Sequence, residues 1–177
     1  MQKNKSIIKF LLKFFGTYAV LFVFYSLYLD VYQDDSSSYT CAPITQNVAN
    51  LTKHTIDFFG YNAEVKPHNN EFSIKILVNN KFVARVIEGC NAVSIIILFV
   101  SFVIAFSNRF LPTLLFLLVG SALIYGINVL RIALITLAIY KFPQYQNLLH
   151  TYVFPVIIYG FTFLLWIIWI KYFAFKK

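Results

Sequence analysis

Residues 111–140 read LPTLLFLLVGSALIYGINVLRIALITLAIY. Thirty residues hold one charge, Arg131. A bilayer core about 30 Å thick needs about 20 apolar helical residues, so this stretch predicts a transmembrane helix with length to spare. At about 1.5 Å per residue, Arg131 lies about 30 Å above Leu111, near one membrane boundary. A charge within such a helix costs at least about 2.5–3.5 kcal/mol at the membrane centre, so it faces a partner or a wet cavity. Asn128, three residues earlier, shares its helix face. The apolar run Ile132–Ile139 surrounds Arg131 on the far side, which argues against simple snorkelling to the headgroups.

Three further segments have the same character: Phe10–Leu29, Gly89–Ser107 and Tyr152–Ile170. Only 12% of the 177 residues are charged, against about 25% in soluble domains, and the mean hydropathy is +0.70. The expected fold is therefore an α-helical integral membrane protein with four transmembrane helices. The first segment opens on a basic region (Lys3, Lys5 and Lys9, with Lys13 near the segment's own start). Its apolar run exceeds the 7–15 residues of a signal peptide, and Tyr25-Ser26-Leu27-Tyr28-Leu29-Asp30 offers no small-x-small cleavage site. A retained anchor is expected.

The polar stretch Asp30–Glu88 predicts a small α+β insertion between the first two helices. Asp34–Ser38 reads as a solvated linker. Val48, Leu51, Thr55, Phe58 and Phe59 recur near helical spacing, with Gly60 as a stop. Phe72, Ile74, Ile76 and Val78 alternate with polar residues, Asn79-Asn80 suits a turn with positive φ, and Lys81–Ile87 alternates again. A β-hairpin is thus expected to run straight into Gly89-Cys90. The chain divides into residues 1–29 (N-terminus and first helix), 30–88 (the extracytoplasmic insertion) and 89–177 (a three-helix core).

Charge sets an expected orientation. With the N-terminus in the cytoplasm, the inner set is Lys3, Lys5, Lys9, Lys13, Arg109, Lys171, Lys176 and Lys177, with no acidic residue. The outer side carries seven basic and all seven acidic residues, which cancel. The whole net charge of +8 then faces the cytoplasm, as topology signal and as contact to anionic lipid. No nucleic-acid motif is present, and none is expected as partner. Trp166, Trp169, Tyr172 and Phe173 predict an aromatic belt at the inner boundary.

In this threading Cys90, Arg131 and His150 come to one depth on the outer face. Cys90 would open the second helix, where free N–H groups and a partial positive charge favour a thiolate. His150 stands at the outer start of the fourth helix, and a neutral imidazole can take a thiol proton. A Cys–His pair can attack a carbonyl to give a thioester, and Arg131 can stabilise the oxyanion. The alternatives are a non-enzymatic membrane protein that binds a client through the insertion, and a thiol redox protein using Cys41 and Cys90. No C-x-x-C supports the latter. His54 and His68 lack metal-ligand spacing, so no structural zinc and no cofactor are expected. Gly120, Ser121 and Gly126 would let the long helix pack closely.

At Val86-Ile87-Glu88-Gly89-Cys90-Asn91-Ala92, Asn128-Val129-Leu130-Arg131-Ile132 and His150, the chain resembles the exosortase/archaeosortase family, most closely the Bacteroidetes-type exosortase F subgroup. The resemblance runs from about Val86 to Ile170. It implies a multi-pass cysteine transpeptidase or protease of the bacterial inner membrane, with its active site on the periplasmic face. Its implied partner is a C-terminal sorting signal: a short motif, a transmembrane helix and a basic tail. It implies Cys90 as nucleophile and Arg131 and His150 as catalytic partners, with Asn128, Glu88 and Asn91 in support. Many members have Ser-Gly after the Cys, where this chain has Asn91-Ala92.

Overall fold

The computed structural model describes residues 2–33 and 41–174. The expected linker at Asp34–Ser38, and Lys176 and Lys177 of the inner charge set, lie outside the described residues. The chain is mostly helical with a small antiparallel sheet. Its elements are α1 (Gln2–Gln33), α2 (Pro43–Phe58), β1 (Ala63–Pro67), β2 (Ser73–Val78), β3 (Lys81–Ile87), a 3₁₀ turn (Glu88–Cys90), α3 (Val93–Ala105) and α4 (Phe110–Lys141). A 3₁₀ turn at Pro143–Tyr145, the single turn α5 (Gln146–Leu148) and a π-helical turn at Leu149–Val153 lead into α6 (Phe154–Trp169).

Three helical stretches are long and apolar enough to cross a membrane: Ile7–Tyr32, Phe110–Lys141 and Pro143–Phe173. The expected second helix, Gly89–Ser107, is shortened to the 13 residues of α3, about 20 Å at 1.5 Å per residue. Most of the loss is at its start, where a 3₁₀ turn and a left-handed Ala92 (φ 66) precede the first α-helical residue; Phe106 and Ser107 fall beyond its end. α3 nevertheless runs antiparallel along α1. Its beginning meets α1 at Tyr25, through Asn91, and its end meets α1 at Phe10, whose ring lies 4.6 Å from Phe106.

α4 packs closely on α3 at Gly120. A Cβ there would lie 2.3 Å from Cζ of Phe99, so the contact requires glycine. Gly126, by contrast, has open space around it. The expected aromatic belt is replaced in part by core packing. Trp169 is 2% exposed, and Trp166 stacks on Phe102 at 4.3 Å. These indoles fill the space beside short α3, whereas Tyr172 and Phe173 remain exposed.

The helix and hairpin of the insertion form where expected, but α2 buries a different face from the one its apolar residues suggest: Leu51, Phe58 and Phe59 are exposed. In α2, Thr45, Val48, Ala49, Thr52 and Ile56 are buried, the spacing of one helix face. Gly60 (φ 85) follows its end. Asn79 (φ 49) and Asn80 (φ 64) make the two-residue turn between β2 and β3, the backbone of the favoured hairpin turn. β1 adds antiparallel to β2, giving the order β1-β2-β3. The apolar face of the sheet and α2 share one core with Val129, Ile132 and Ala133 of α4. Part of the apolar run beyond Arg131 (Ile132, Ala133 and Leu137) therefore completes the core of the insertion, while Leu134 is exposed.

Candidate active site

β3 descends from the Asn79-Asn80 turn toward the bundle, and its last residue precedes Glu88-Gly89-Cys90. Cys90 stands at the end of the 3₁₀ turn, three residues before α3 begins. It is thus not in the first turn of the helix. The backbone N–H of Val93 is taken instead by Asn91 Oδ1, at 3.0 Å. What fixes Cys90 is a set of side chains around its turn. Asn128 of α4, 1% exposed, donates from Nδ2 to the Cys90 carbonyl at 2.8 Å. Asn91 donates to the hydroxyls of Tyr25 (2.6 Å) and Thr45 (3.1 Å). The Glu88 carboxylate accepts the Ala42 N–H at 2.6 Å and the Thr45 hydroxyl. Ala42 is the N-cap of α2, and a helix N-terminus favours the negative charge of Glu88. Glu88 and Asn91 therefore bind the turn to α1 and α2 rather than facing a substrate.

Ala92 holds the left-handed conformation that suits glycine. For a residue with a Cβ this costs about 1–2 kcal/mol. Its methyl is buried among the residues between α3, α4 and α6, which offsets part of that cost.

Cys90 and His150 line one cleft of about 740 Å³. Its walls are β3, the last turns of α4 and the segment from Pro143 to Phe154. His150 lies in the π-helical turn, a distortion that recurs at functional sites. Among the described residues no hydrogen bond joins His150 to Cys90. Arg131 is 4% exposed and does not line the cleft. Its guanidinium carbon sits 3.3 Å from the centre of the Phe154 ring, and Phe154 lines the cleft. The His150 ring stacks on the same phenyl at 5.5 Å, with 21° between the planes. Phe154 thus bridges the two charged-capable residues, although no sequence pattern distinguished it from its apolar neighbours. Arg131 has the Cys90 thiol and the Tyr159 phenol within electrostatic range. Its Nε is buried with no acceptor among the described residues. A buried donor in that state costs about 1–3 kcal/mol.

Cys41 is a separate free thiol. Burial first, then the charge and hydrogen bond of Glu88, push it up to about 12. It lines a small hollow with Gln46, Ala49 and Ile74, not the cleft that holds Cys90. A thiol kept protonated in this way is neither a nucleophile nor a ready redox partner. His54 is exposed on α2. His68 lies on the cleft rim, 3.4 Å from Glu71, which also pairs with Arg85 at 2.5 Å.

The family model described as transmembrane exosortase matches residues 10–170. No curated protein and no solved structure matches the chain.

Proposed function

Because the chain belongs to the transmembrane exosortase family, we propose that it is a cysteine transpeptidase or protease that cleaves C-terminal sorting signals of exported proteins. The observation that carries this reading is the shared cleft. Cys90 and His150 line it, and the buried Arg131 stands behind Phe154 within electrostatic range of the thiol. In the reaction, His150 takes the thiol proton as Cys90 Sγ bonds to the scissile carbonyl carbon. Arg131 stabilises the oxyanion of the tetrahedral intermediate. The C–N bond then breaks, His150 returns the proton to the leaving amine, and a thioester remains. An acceptor amine, or water, attacks that thioester, the S–C bond breaks and the Cys90 thiol is restored. Asn128 holds the Cys90 carbonyl, while Glu88 and Asn91 brace the turn.

The same reading assigns the topology. Residues 1–29 anchor the chain, 30–88 form the substrate-facing unit and 89–177 the catalytic core, with α4 serving both. α3, flanked by its 3₁₀ turn, acts as the fourth membrane element. The N- and C-termini face the cytoplasm with the excess positive charge, and the cleft opens to the periplasmic side of the inner membrane. Two experiments test this. Cys90→Ala and Cys90→Ser are expected to abolish signal cleavage, while the wild-type chain yields a hydroxylamine-labile acyl adduct on Cys90. Wild-type cleavage by Cys90→Ala refutes the chemistry. A membrane-impermeant maleimide is expected to label Cys90 from the outer side, and labelling from the cytoplasmic side alone refutes the topology.

A further inference from the structure

β3 is an edge strand: β2 pairs with one of its sides, and no described strand pairs with the other. Five consecutive residues of β3, Phe82 to Val86, line the cleft. Side chains of a strand alternate between faces, so a wall made by one face would contribute every second residue. The pairing explains the difference. Ile76 pairs with Ala84 and Leu77 with Phe82, leaving Val83 as a bulge. Phe82 and Arg85 therefore share the face of Leu77 and Lys75, and Ala84 and Val86 share the core face of Ile76 and Ile74. Both faces border the cleft, so the cleft is fronted by the strand edge itself. Alternate N–H and C=O groups on that edge point away from β2. The opposite wall is apolar, from Ile132, Ile135 and Ile139 of α4.

We propose that this edge is the substrate rail: the extended segment of an exported protein that precedes its own membrane helix adds to the sheet as a fourth strand, parallel to β3. This rests on the peptide-cleaving reading above. The direction follows from connectivity. β3 runs toward the bundle and continues through Cys90 into α3. A substrate whose exported part lies outside and whose helix follows it must enter the membrane in the same N-to-C sense. Main-chain bonds along β3 then supply affinity, as in other strand additions. The end of the rail delivers the scissile carbonyl to Cys90, three residues beyond Ile87. The rail of seven residues is about 23 Å long at 3.3 Å per residue. Phe82 is 53% exposed on it and Ile87 44%, and both are available to a docked chain.

The test uses the full chain in its own cell membrane, with the photocrosslinker p-benzoylphenylalanine at Phe82 or at Ile87 on a Cys90→Ala background. Crosslinked peptides are located by mass spectrometry relative to the membrane helix of the captured protein. In any one captured protein, the residue bound at 87 is expected about four positions C-terminal to that bound at 82, allowing for the bulge residue. The reverse order overturns the parallel rail. Crosslinks to peptides of this chain itself also overturn it, and identify the edge as an interface between copies. Absence of crosslinks at both positions overturns it while the Cys90 reading stands, provided wild-type chain still forms the hydroxylamine-labile adduct. Ordered crosslinks without that adduct support the rail and refute the catalytic reading alone.

Discussion

Removing the charge of Arg131 is expected to slow acylation of Cys90 by about 10²–10³-fold. An oxyanion donor in a preorganised site is worth about 2.7–4 kcal/mol, and 1.36 kcal/mol is tenfold in rate. Arg131→Met keeps an unbranched, apolar-compatible side chain in a site only 4% exposed, so the loss reports charge rather than a cavity. In the proposed mechanism Phe154 acts through Arg131. The guanidinium carbon lies 3.3 Å from the ring centre, and such a contact is worth about 0.5–2 kcal/mol. Phe154→Leu is therefore expected to slow acylation about 2–30-fold. The double variant separates this from general damage. If Phe154 only positions Arg131, then Arg131→Met with Phe154→Leu is no slower than Arg131→Met alone. The assay is single-turnover accumulation of the hydroxylamine-labile adduct on Cys90, with purified chain and a signal-bearing substrate. Acylation by Arg131→Met within threefold of wild type refutes the oxyanion role. Full additivity in the double variant refutes the role given to Phe154.

Three other perturbations test the surroundings. Cys41→Ser is expected to leave signal cleavage intact and to remove a pH dependence of stability: the folded thiol titrates at about 12, above its ordinary 9.0, so its contribution is full below about pH 9 and is lost as pH rises toward about 12. Thermal unfolding of wild type and variant between pH 8 and 11 measures it, and identical profiles refute the burial of this thiol against Glu88. Gly120→Ala is expected to destabilise the bundle by about 1–3 kcal/mol through overpacking against Phe99. Phe99→Leu in the same chain restores part of that loss, and a Gly120→Ala chain as stable as wild type refutes the close approach of α3 and α4. At Ala92, glycine is expected to change stability by less than about 1 kcal/mol, since relief of the left-handed strain is offset by backbone entropy and a lost buried methyl. Valine there is a true steric outlier and costs more than glycine; equal stability of the two variants in detergent unfolding contradicts the φ of 66.

The long helices and the β2–β3 hairpin were legible because each depends on apolar length, a local period or a turn dipeptide; α2 was legible as a helix, but its buried face, which includes Thr45 and Thr52 and omits Leu51 and Phe58, was not. β1 was not, because Ala-Glu-Val-Lys-Pro carries two charges and a proline, and its pairing is decided by β2. The start of α3 was misread for a related reason. Gly89 suggested the boundary, but the left-handed residue is Ala92, a residue type that gives no warning of that conformation. That Cys90, Arg131 and His150 gather in one region of the bundle could be inferred from helix lengths and charge. Their mutual arrangement could not, because it passes through Phe154, one apolar residue in an apolar helix. The run Ile132–Ile139 stood out as surplus to a membrane span, and the explanation of part of it needed contacts with residues more than forty positions away in sequence.

That shared core has a consequence for synthesis. Ribosomes make α2 and the sheet well before α4, and domains ordinarily fold in the order in which they are made. Here Val48, Ile56, Ile74 and Ile76 wait for Val129, Ile132 and Ala133 to complete their packing. Until α4 has been made, the insertion presents an apolar face that must be shielded by something other than its own chain. The moment at which that face is covered is also the moment at which Asn128 reaches the carbonyl of Cys90, so the thiol acquires its fixed position only once α4 is in place.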